Sequence, residues 1–164
     1  MTRVQSLGRI VLVFWALWLS VVAATNVQDA LLALGLLPAS FKFASGNWGW
    51  INQVMDPREI PRAVQGVMFA GAIGWEALAA GLFWRATFGY RGGKLPAEAA
   101  VVLACGVNLA LWGAFQVLDE VVMAYQPEAV HRVVFLNQLV TIVMLEALGR
   151  TERECQTHSC DECL

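Results

Sequence analysis

Residues 63–84 read AVQGVMFAGAIGWEALAAGLFW, an almost unbroken apolar run with one acid, Glu76, close to its middle. About 22 residues of helix at roughly 1.5 Å each reach about 33 Å, the thickness of a bilayer's hydrocarbon core. A carboxylate at that depth costs about 3 kcal/mol on insertion scales, so it must face protein, water or a partner rather than lipid. This stretch predicts a membrane-spanning helix whose single charge is turned inward.

The rest of the chain follows the same pattern. Of 164 residues, 58% are apolar and 15% charged, with a positive mean hydropathy. Soluble domains carry about 25% charged residues. Apolar segments at residues 10–32, 63–84, 97–118 and 130–148 account for the difference, and backbone polar groups in lipid must be satisfied within each segment, which makes them helices. The fold class expected is all-α, a polytopic four-helix transmembrane bundle over residues 1–150 followed by a Cys-rich tail at 151–164. The net charge of −2, with sparse Lys and Arg, carries no nucleic-acid signature.

Orientation follows from the positive-inside rule. With the N-terminus inside, one side holds Arg3, Arg9, Arg85, Arg91, Lys94, Arg150 and Arg153, and the other Lys42, Arg58, Arg62 and Arg132. Seven against four places both termini in the cytoplasm. The cationic start before IVLVFWALWLSVVAA also fits a signal peptide with a small-residue site near Ala24, but the apolar pattern resumes through Leu37, which favours a retained helix. Residues 37–61 form the longest connection. Trp48 and Trp50 flank Gly49 there, and Trp prefers the headgroup level, so the connection is expected to lie on the outer surface rather than to act as a substrate lid.

In the second helix, Ala70, Gly74, Ala77 and Gly81 form a small-residue stripe that lets another helix approach, while Gln65, Ala72, Glu76 and Phe83 lie opposite. Gly92-Gly93, in the basic turn that follows, has no strand before it and is not a phosphate-binding loop. In the third helix Asn108, Trp112, Phe115 and Asp119 share a face, and Cys105 reads as a buried thiol. In the fourth, His131, Phe135, Gln138, Ile142 and Glu146 form a stripe with Asn137 adjacent. A weak internal echo pairs Ala16-Leu17-Trp18 with Ala110-Leu111-Trp112 and suggests two related helical hairpins.

Two constellations are candidates for chemistry. Asn26, Asp29, Arg62, Asp119, Glu120, His131 and Arg132 fall near the outer face, where charges at one depth are expected to pair. The structural reading is a network that locks helix register; the functional one is an outward-facing polar cavity, continued toward the centre by Glu76, Asn108, Asn137 and Gln138, with Glu76 as a proton carrier. The second constellation is Cys155-x-x-His158-x-Cys160-x-x-Cys163, whose ligand types suit Zn²⁺ or Cu⁺ in a reducing compartment. The bland alternative is an acidic terminus with incidental thiols. No nucleophile–base–acid set is present, which argues against an enzyme.

Three motifs resemble the bacterial family of uncharacterised predicted small integral membrane proteins. Asn26-Val-Gln-Asp29 is similar to that family's Asn-x-x-Asp at the end of its first helix, and Trp75-Glu76-Ala-Leu78 to its Trp-Glu pair in the second. Glu120-Val-Val-Met123-Ala-Tyr-Gln126 with Arg132-Val-Val-Phe135 is similar to its Glu-Trp-Phe-x-Met-Trp-Gln turn followed by Arg and aromatics. Val121 departs from the family's Trp, and the Cys-rich tail is an addition. The resemblance implies a four-helix inner-membrane protein and transfers no activity. The expectation is an accessory or assembly subunit of a larger membrane complex, with lipid and another membrane protein or a second copy as partners. The alternatives are a small proton-coupled transporter using Glu76, and metal or redox handling through the tail.

Overall fold

The computed structural model describes residues 3–89, 95–122 and 124–157. The described residues are mostly helical, with no strand among them: α1 (Arg3–Ala33), α2 (Asn47–Met55) running into a 3-10 turn (Asp56–Arg58), α3 (Arg62–Gly89), α4 (Leu95–Val121) and α5 (Tyr125–Thr157). Four stretches within these, Ser6–Ala33, Arg62–Gly89, Glu98–Val121 and Pro127–Thr151, are long and apolar enough to cross a bilayer. Such a chain is a multi-pass membrane protein, because its exposed faces carry Val, Leu, Ile and Phe that water would not tolerate at this density.

Neighbours in sequence are neighbours in space. The closest packing is α1 on α3, followed by α3 on α4 and α4 on α5, with a lighter contact closing α5 onto α1. The core is built from small residues of α3 and α4 (Ala79, Ala80, Ala86, Ala104 and Cys105) set against Leu12, Trp15 and Leu19 of α1 and Phe83 of α3. Small against large lets the helices interlock. That contact supplies association where lipid removes the hydrophobic drive. Trp15 stacks on Phe83 at 6.2 Å and its indole N–H reaches Thr141 Oγ1 on α5 at 2.9 Å, so this one side chain touches both neighbours of its helix. Trp18 and Trp112, the two tryptophans of the internal echo, have ring centroids 5.6 Å apart.

The long connection departs from a simple surface loop. Gly35, at φ 71°, ends α1: Leu36 N–H bonds Leu31 C=O and Gly35 N–H bonds Leu32 C=O, the pairing that a left-handed residue permits. The chain then turns back, and Ser45 N–H bonds Thr25 C=O at 3.2 Å. Gly46, at φ 78°, opens α2, which lies across the loop end of α1 and α3. Trp48 stacks on Phe69 of α3 at 5.9 Å.

Candidate functional site

α3 turns Glu76 toward α1 and the adjacent Trp75 toward α4, where its indole N–H bonds Val107 C=O at 3.1 Å. Glu76 is 3% exposed and stands at the middle of the Arg62–Gly89 span. Its carboxylate accepts the Asn26 side-chain NH2, with Nδ2 at 3.0 Å from Oε1 and 2.8 Å from Oε2. Asn26 is itself buried, and its Oδ1 accepts Asn47 Nδ2 of α2 at 2.7 Å. A hydrogen-bonded chain therefore runs from the exposed Asn47 through Asn26 to the mid-span carboxylate.

One turn further along α1, buried Asp29 receives Ser45 Oγ at 3.1 Å and the backbone N–H of Trp48 at 2.7 Å, both on its Oδ2. The first N–H groups of a helix have no intrahelical acceptor, and a carboxylate there also meets the positive end of the helix dipole. Asn26 and Asp29 thus bind the start of α2 from below, one through a side chain and one through the backbone. Of the two, Asp29 caps the start of α2, and Asn26 ties down the side chain of its first residue.

A second polar group lies between α4 and α5. Asn108 Nδ2 donates to Gln138 Oε1 at 2.6 Å and Trp112 Nε1 donates to Asn108 Oδ1 at 2.9 Å, all three residues being buried. Among the described residues, no oxygen or nitrogen acceptor meets the buried Gln138 Nε2. Nearer the α4–α5 turn, His131 Nδ1 and Asp119 Oδ2 lie 2.5 Å apart. The imidazole sits among the rings of Phe115 and Trp112, at 5.0 and 5.6 Å. Arg132 pairs with Glu128 one turn before it, and Glu120 is exposed.

The residues grouped by depth in the sequence are thus divided among separate contacts. Asn26 joins Glu76, Asp29 joins α2, and Asp119 joins His131. Arg62 bonds Asp56 at 2.7 Å, and Gln65 donates to the other oxygen of the same acid at 2.9 Å, stapling the turn before α3. Of the four intramembrane polar candidates, Asn108 and Gln138 are together, Glu76 is with Asn26, and Asn137 joins neither group because its side chain is on the outside of α5. Asn47, Ser45 and the Trp48 backbone carry almost no signal in the sequence, where only Asn47 following Gly46 marks a helix start.

In the tail motif, Cys155 falls on the last turns of α5, while His158, Cys160 and Cys163 lie outside the described residues. Among the described residues no group of three His, Cys, Asp or Glu side chains converges as a metal site. Comparison with protein-family models, with curated proteins and with solved structures gave no match.

Proposed function

We propose that this chain is a non-catalytic accessory or assembly subunit of a larger membrane complex, held in a bacterial inner membrane with both termini in the cytoplasm. The observation that carries this reading is the division of α3 into two faces. Its inner face buries Glu76 against α1, and from its flank the exposed Trp75 reaches α4 through its indole N–H. Its outer face exposes Ala70, Gly74, Ala77 and Gly81, and at Gly74 and Gly81 an added Cβ would meet nothing within 4 Å. Open small-residue surface on a spanning helix suits close approach by a helix from another protein. The resemblance carried by Asn26-x-x-Asp29 and Trp75-Glu76 belongs to the same proposal. The test is purification of the intact protein after mild solubilisation. A second membrane polypeptide is expected to accompany it and to be lost in Gly74→Leu. A chain that stays alone and still moves a solute in vesicles overturns the reading.

A second reading, a small proton-coupled carrier, is favoured by the Asn47–Asn26–Glu76 chain, which links an exposed amide to the middle of a span. Proton-driven uptake into vesicles that is abolished in Glu76→Gln, with the fold retained, would establish it over the first.

A further inference from the structure

The outward face of α5 carries an amide that no other described residue bonds. Asn137 is exposed, two residues from the midpoint of the Pro127–Thr151 span. Among the described residues no group is hydrogen-bonded to its side chain, although its backbone C=O receives Thr141 Oγ1. At that depth the surroundings are acyl chains, which offer an amide neither donor nor acceptor. The neighbouring Gln138, 100° around the helix, shows how the fold treats a polar side chain it can reach: it is buried and bonded to Asn108.

The residues in line with Asn137 are Val130, Val133, Val140, Met144 and Ala147, at alternating steps of three and four. Val130, Val133 and Val140 are exposed by 61, 56 and 66%, Ala147 is exposed and Met144 half-buried. This is the 3.5-residue spacing of a left-handed helix pair, with one Asn in its interior, a device that fixes register between paired helices. From Val130 to Ala147 the seam runs about 26 Å, close to the full hydrocarbon thickness.

We infer that α5 is a homodimerisation helix, and that its occupant is α5 of a second copy of this chain, joined through a reciprocal Asn137–Asn137 hydrogen bond. The choice of a second copy rests on self-complementarity. Copies of one chain insert with the same orientation, so their α5 helices run parallel and place Asn137 at one depth. An amide both donates and accepts, so it is its own partner across a twofold axis. The seam lies on a different helix from the small-residue stripe of α3, and the two contacts do not depend on one another.

The test uses the full-length chain in lipid vesicles, labelled with donor and acceptor fluorophores and diluted with lipid to read the dissociation constant. Wild-type chains are expected to associate. Asn137→Leu should weaken association about three- to tenfold, the range of one interhelical hydrogen bond in a bilayer. Asn137→Gln should restore most of it, and Gly74→Leu on α3 should leave it unchanged. In a second measurement, Val140→Cys in a chain with Cys155, Cys160 and Cys163 replaced by Ser should give disulfide-linked dimers on oxidation, while Val102→Cys on α4 should not. Wild-type chains that stay monomeric at high density overturn the proposal. So does association that Asn137→Leu leaves intact, or that Gly74→Leu alone abolishes.

Discussion

The Oδ2 atom of Asp29 lies 2.7 Å from the backbone nitrogen of Trp48, so an acid near the end of α1 caps a helix that begins after the chain has turned back. Sequence separation is nineteen residues, and the contact closes that loop. Ser45 donates to the same oxygen and also accepts the Asn47 N–H, which leaves little freedom in how α2 enters. The Asn-x-x-Asp motif is therefore a docking device as much as a pair of polar groups at a helix end.

Removing that acceptor should free α2 without unfolding the spans. Asp29→Ala is expected to cost about 1 kcal/mol, the usual value of a capping side chain. Asp29→Asn should cost less, because an amide oxygen still accepts. Hydrogen exchange resolves this: amides of residues 47–55 should exchange faster in Asp29→Ala, while those of α4 keep their protection.

The carboxylate of Glu76 satisfies the Asn26 NH2, and the converse also holds. In Glu76→Leu the Asn26 donor is left buried and unpaired, with an expected penalty of about 1–3 kcal/mol. Glu76→Gln retains an acceptor oxygen and should melt close to the wild type. Thermal melting in detergent should thus rank Glu76→Gln well above Glu76→Leu. Equal melting of the two would mean that Asn26 finds another partner.

How far the sequence revealed these contacts depended on whether their partners were local. Glu76 had to face inward, because hydropathy alone makes lipid exposure too costly for a carboxylate at mid-span, and it does. That Asn26 would be its partner needed the antiparallel packing of α1 on α3, which no periodicity specifies. α2, inside the connection at residues 37–61, has little local signal, since Gly46 and Gly49 depress helix propensity and its cap lies on another helix. Depth alone groups Arg62 with distant acids, but Asp56, six residues away, captures it because closing a short loop costs little entropy. Asn137 and Gln138 are adjacent in sequence yet face opposite environments. A helix separates neighbours by 100°, and only the position of α4 decides which is inside.

The Asn108–Gln138 bond offers a direct measure of what a buried amide pair contributes in this bundle. Asn108→Ala also strands the Trp112 indole N–H, whereas Gln138→Ala leaves Trp112 bonded. Asn108→Ala should therefore be the more destabilising single change. A double-mutant cycle on melting free energies is expected to give a coupling of about 0.6–2 kcal/mol. A coupling near zero would mean that water or the backbone replaces the missing partner.

Asp119 and His131 join α4 to α5 at the turn, and their pairing predicts an order of stabilities that simple loss of contacts would not. His131→Phe keeps an aromatic ring beside Phe115 and Trp112, so packing is conserved. Yet it leaves Asp119, 5% exposed, without the imidazole. An uncompensated buried carboxylate costs about 3–5 kcal/mol, while an apolar pair of similar volume is often neutral. His131→Phe alone should thus melt well below the wild type, and the double variant Asp119→Leu/His131→Phe should recover most of the loss. Melting curves of the two variants decide the matter. A double variant no better than the single would show that the Asp119 side chain does more in the bundle than bind His131.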